Sequence, residues 1–87
     1  MSRKHQKTLE NIFTTPIKSN IAWQDVEFFL KVLNADISEG EGSRIRIALN
    51  GVRSVFQRPH PRKEIDKGAL ISIRRFLKEA GVHHVKL

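Results

Sequence analysis

The chain contains no cysteine. That absence removes disulfides, zinc knuckles and thiol nucleophiles as possible devices. It also has no apolar run of the ~18–20 residues needed to span a bilayer, and its first residues, MSRKHQK, carry no apolar signal segment. A cytoplasmic protein with no membrane association is the expectation. Repeats and low-complexity tracts are lacking too, so one continuous domain is expected from 87 residues. A chain this short buries only about 60–65 % of its unfolded surface and has little room for a deep substrate cavity.

Acidic residues are also scarce, and unevenly so. The chain has 16 Lys and Arg against 9 Asp and Glu, a net charge of +7. Such a balance favours polyanionic partners, chiefly nucleic acid. Residues 21–41 hold Asp25, Glu27, Asp36, Glu39 and Glu41 against Lys31 alone. Residues 42–58 hold Arg44, Arg46, Arg53 and Arg58 with no acid. Hydrophobic residues make up 39 %, enough for a core and too many for a disordered chain.

Periodicity then orders the elements. Lys4 to Phe13 reads as a short helix within a loosely attached N-terminal extension, residues 1–20, and Thr14-Thr15-Pro16 ends it. In the segment from Trp23 to Leu33, the residues Trp23, Val26, Phe29, Leu30 and Leu33 mark one buried helical face. Ala35 to Glu39 is a short strand candidate. Ser43 to Leu49 alternates, with Ile45, Ile47 and Leu49 on one side and Arg44, Arg46 and Ala48 on the other. Asn50-Gly51 follows, then a strand from Val52 to Arg58. Asn-Gly between alternating runs signals a type I′ hairpin, whose two central residues need positive φ. That turn sets Leu49 against Val52, Ile47 against Ser54 and Ile45 against Phe56. It places Arg44, Arg46 and Arg53 together on the opposite face. Arginine stems covering a solvated outer face would explain the same spacing without a ligand.

The last helix is expected from an N-cap at Asp66 to Gly81, burying Ala69, Leu70, Ile73, Phe76, Leu77 and Ala80 and exposing Arg74, Arg75 and Lys78. Before it, Pro59-His60-Pro61-Arg62-Lys63 forms a rigid basic loop. Lys67 and Gly68 sit in its first turn, where free N–H groups can receive a phosphate. His83 and His84 lie in a short tail, residues 83–87, with no third ligand evident, so no metal or other cofactor is expected. The resulting order is an α+β two-layer sandwich, α-β-β-β-α over residues 21–82, with an N-terminal helical extension.

Several segments in this order resemble the HicA family of toxins. They are Glu39-Gly40-Glu41-Gly42-Ser43 entering the second strand, Pro59-His60-Pro61 after the third, Asp66-Lys67-Gly68-Ala69-Leu70 opening the last helix, and Ala80-Gly81-Val82 closing it. The resemblance implies a double-stranded-RNA-binding-like fold. It also implies a metal-independent mRNA endoribonuclease (an mRNA interferase) neutralised by a HicB-type antitoxin. The family carries a Gly-Ser/Thr-His motif; here it reads Gly42-Ser43-Arg44. Arginine stays protonated in proteins and cannot act as a general base, but it can hold phosphate or stabilise developing charge. The catalytic candidates are therefore Arg44 and His60, with His60 as the group able to take a proton near neutral pH. The RNA- or phosphate-binding candidates are Ser43, Arg46, Arg53, Arg58, Arg62, Lys63, Lys67 and Gly68. The alternative is an RNA-binding or antitoxin-binding module that keeps the fold without the chemistry.

Overall fold

The computed structural model describes residues 3–17, 20–59 and 63–82. Their elements follow the order α1 (Arg3–Ile12), α2 (Trp23–Val32), β1 (Asp36–Glu39), β2 (Arg44–Leu49), β3 (Val52–Gln57) and α3 (Lys67–Glu79). The strands form one antiparallel sheet in the order β1-β2-β3. This is the expected α+β sandwich with its helical extension.

The Asn-Gly turn sets the hairpin as its chemistry requires. Asn50 and Gly51 have φ of 50° and 84°, both in the left-handed region that the type I′ turn demands. The observed pairs are Leu49 with Val52, Ile47 with Ser54, Ile45 with Phe56 and Arg44 with Gln57, the register read from sequence. The Asn50 amide also donates to the Ala80 carbonyl at 2.7 Å. It thereby ties the hairpin tip to the end of α3.

The inner sheet face carries the core. Ile45, Ile47, Leu49 and Phe56 are buried with Val26, Phe29 and Leu30 of α2 and Leu70, Ile73, Phe76 and Leu77 of α3. Phe76 meets Phe56 edge-on at 5.6 Å, and Trp23 lies 6.5 Å from the same ring. Trp23 is thus a core anchor. Asp66 caps α3 by accepting from the Ala69 N–H at 2.7 Å.

The N-terminal extension differs from the expected loose arm. α1 packs on α2 and α3, and Ile12 is fully buried in the common core. Arg74 locks it in place. Expected on the exposed side of α3, its guanidinium instead donates to the carbonyls of Ile12 and Thr14. The Ile12 carbonyl is one that the last turn of α1 leaves without a partner inside the helix, and the Thr14 carbonyl lies just beyond it; Arg74 satisfies both. A second tie joins the starts of α2 and α3: the Trp23 N–H donates to the Lys63 carbonyl at 2.9 Å and the Ile65 N–H to the Ile21 carbonyl at 2.8 Å. Among the described residues, no helix is long and apolar enough to cross a membrane.

Candidate nucleic-acid interface

Strand alternation delivers the basic side chains to one place. With Ile45, Ile47 and Phe56 turned inward, Arg44, Arg46 and Arg53 must turn outward, and all three are exposed. Arg46 faces Val55 across the hairpin and Ala48 faces Arg53, so Arg46 and Arg53 are diagonal neighbours. β1 adds Ser38 opposite Arg46 and Asp36 opposite Ala48. Arg46, Ala48, Arg53, Ser38 and Asp36 line a shallow hollow of about 440 Å³, with Val55, 58 % exposed, at its wall; Arg44 is not part of that lining. Among the described residues, none of the three arginines forms an ion pair. Like charges so close favour an anion between them, and a planar guanidinium matches phosphate oxygens.

The turn before β2 positions Arg44. The Gly40 N–H donates to the Arg44 carbonyl at 2.8 Å and the Arg44 N–H to the Glu41 carbonyl at 3.1 Å. A Cβ on Gly40 would stand 3.3 Å from both the Cβ and the carbonyl oxygen of Arg44. The close crossing therefore favours glycine there. Gly42 takes φ of 62°, again the left-handed region. Ser43 is held by both of its oxygens. Its carbonyl accepts from the Arg58 N–H at 2.9 Å, and its hydroxyl from the Gln57 amide at 3.3 Å.

Arg58 is placed differently from the expectation of a phosphate ligand. Its guanidinium donates to Glu39 at 2.6 Å and to Glu27 at 3.1 Å. Glu27 also accepts from the Trp23 indole at 2.8 Å and lies 3.7 Å from Lys31. Burial acts to raise the Glu27 pKa, but the hydrogen bonds from Arg58 and Trp23 and the nearby cations outweigh it, leaving the carboxyl below its ordinary value. The Arg58 hydrogen bond likewise lowers Glu39. Glu39 first, then Glu27, hold the Arg58 guanidinium above its ordinary value. The Arg58 charge is already matched within the protein.

The remaining candidates lie elsewhere. Phe76 packs on Phe56 while Ala80 meets Asn50, so α3 runs back along β3 on the inner face. Lys67, exposed in its first turn, therefore sits on the other side of the sheet from Arg46 and Arg53. Lys63, also exposed, precedes that turn. The expected phosphate cradle at this turn is altered by Asp66, whose carboxylate already takes the Ala69 N–H and brings a negative charge to the same spot. A Cβ on Gly68 would make only an ordinary 3.5 Å contact with Asp66, so no close approach calls for glycine there. His60 and Arg62, like His83 and His84, fall outside the described residues. The carboxylates of Glu27 and Glu39 were not singled out from sequence. The signal available was the acidic stretch 21–41 preceding the basic stretch 42–58, which could have suggested pairing between them.

The fold and the charged sheet face define a small α+β domain of the double-stranded-RNA-binding-like type. A family model described as HicA toxin of bacterial toxin-antitoxin matches residues 23–82, well over half of the chain. The chain belongs to the HicA toxin family, and so to the ribonuclease-like toxins of bacterial toxin–antitoxin systems. No curated protein and no solved structure matches the chain significantly. The match begins at Trp23, so α1 is an addition to the part that defines the family.

Proposed function

We propose that this toxin binds mRNA across the outer sheet face, cleaves it without a metal ion, and is neutralised by a HicB-type antitoxin. The observation that carries the reading is the grouping of Arg44, Arg46 and Arg53 on one exposed face with no ion-pair partner among the described residues. Such a surface binds phosphates by releasing their counterions. In the cleavage step, a base takes the proton of a ribose 2′-hydroxyl and the oxygen attacks the adjacent phosphorus. The bond to the 5′-oxygen breaks, and an acid protonates that leaving oxygen. Arg44 stands where the family has histidine and cannot take a proton, so its role is to hold the phosphate and offset charge in the transition state. His60, chosen on sequence alone, is the candidate for proton transfer, because histidine is the side-chain type suited to that task near neutral pH.

The test is incubation of purified protein with mRNA in EDTA, beside Arg44→Ala and His60→Ala. Cleavage that survives EDTA and is lost in His60→Ala, with RNA affinity kept, supports the full reading. Unchanged cleavage by His60→Ala removes His60 from the mechanism. A second reading, RNA binding without cleavage, draws support from the arginine at position 44. It is distinguished by salt-sensitive binding with intact RNA in every lane.

A further inference from the structure

We propose that Arg58 is a positioning residue: it fastens the Glu39–Ser43 turn to the end of β3 so that Arg44 is presented outward, and it does not itself contact RNA. This rests on the reading of the outer face as an RNA interface.

Alternation separates the two arginines. Phe56 points inward and Gln57 outward, so Arg58 points inward, away from the Arg44 face. Glu39 pairs with Ile45 and shares that inward phase. With Glu27 on α2, the three side chains close the inner layer at the end of the sheet where β2 begins. Arg58 grips the turn at both ends. Its side chain holds Glu39 at 2.6 Å, before the turn, and its N–H holds the Ser43 carbonyl at 2.9 Å, after it. Glu27 extends the grip to α2 at 3.1 Å. Between these anchors lie Gly40 and Gly42, the residues least able to fix a conformation unaided. A phosphate approaching Arg58 would have to displace two carboxylates and would gain little net attraction.

Arg58→Gln, Arg58→Lys and Glu39→Gln, set beside Arg44→Ala, test this in the full chain. The readouts are affinity for a single-stranded RNA against salt, and amide hydrogen exchange. If Arg58 positions the turn, Arg58→Gln weakens RNA binding about tenfold while the slope of log affinity against log salt stays at the wild-type value. A lost phosphate contact on a single strand instead lowers that slope by about 0.7, the change expected of Arg44→Ala. The Gly40 amide exchanges faster in Arg58→Gln, and Arg58→Lys partly restores both properties. Glu39 is exposed, so Glu39→Gln serves where Arg58→Gln fails to fold. It weakens binding too, and adds little in the double variant. Tighter RNA binding by Glu39→Gln overturns the proposal, because it means that the carboxylate was masking an RNA ligand. So does a reduced salt slope in Arg58→Gln. Wild-type protein that binds no RNA defeats the interface reading, whereas unchanged Gly40 exchange in Arg58→Gln defeats the positioning role by itself.

Discussion

The two faces of the hairpin are cut from the same twelve residues, β2 and β3, yet they do opposite things. The inner face, with Ile45, Ile47, Leu49 and Phe56, is buried under the helices. The outer face, with Arg44, Arg46, Arg53 and Val55, is exposed, and its three arginines form no ion pair among the described residues although Asp36 shares that face. A one-residue slip in register would exchange them. The Asn50-Gly51 turn prevents that slip, so the feature that secures the fold also assembles the basic surface. The comparison extends to the arginines themselves. Those of outward phase have no ion-pair partner among the described residues, whereas Arg58, of inward phase, is held by two carboxylates. Phase in the strand separates a surface charge from a structural one where composition cannot.

The sharpest way to break the comparison is to damage the inner face alone. Phe56→Ala removes a ring wedged between Trp23 and Phe76. It is expected to cost about 3–5 kcal/mol, seen as a large drop in the midpoint of denaturant unfolding. A cost under about 1 kcal/mol would mean that this face does not carry the fold. Damage to the outer face should read the other way. Arg44→Ala, Arg46→Ala and Arg53→Ala together are expected to lower RNA affinity about a hundredfold and the salt slope by about 2–3. Each change should move unfolding stability by no more than about 0.5 kcal/mol. Titration with RNA at several salt concentrations, beside thermal melts of the same samples, checks both halves.

Local rules made much of this legible in the sequence. The Asn-Gly turn, strand alternation, the Asp66 cap and the helical stripes each depend on residues close together in the chain, and each appears as read. What escaped depends on distance. Arg58 reaches Glu27 and Glu39 across 31 and 19 positions, and no periodicity announces that meeting. Arg74 reads as exposed on its own helix because its partners lie at the end of α1 and just past it, some 60 residues away. The match of charge to charge at the start of α3 was hidden for another reason. Asp66 was recognised as a cap, but its effect on a neighbouring anion site appears only when cap and site are seen to share the same N–H groups.

Arg74→Ala extends the contrast to a third region, the α1 attachment. Loss of hydrogen bonds from a charged group to two carbonyls is expected to cost about 1.5–3 kcal/mol. Amide exchange should quicken chiefly in α1, leaving the hairpin protected. An unaltered α1 would show that buried Ile12 holds the helix without help.

Acid should disturb the inner ion cluster and spare the outer face, and this is the smallest effect expected. Glu27 and Glu39 both lie below the ordinary 4.5 in the folded protein. Their carboxylates therefore favour the folded state, and the unfolded chain binds protons first as pH falls. The contribution is complete above the ordinary value and is lost as pH drops through 4.5 towards the lower folded values. Stability should be flat in this respect from neutral pH to about 5.5, then decline. Glu39→Gln removes one titrating partner of Arg58, so its decline as pH falls below the ordinary 4.5 should be shallower than that of the wild type. The outer arginines have no carboxylate holding them in place, so the triple alanine variant should follow the wild-type curve across the same range. Unfolding curves of the three proteins at intervals of half a pH unit make the comparison. A Glu39→Gln curve parallel to the wild type would mean that the Arg58–Glu39 pair contributes nothing to folding, leaving Glu27 as the only carboxylate partner that matters to Arg58.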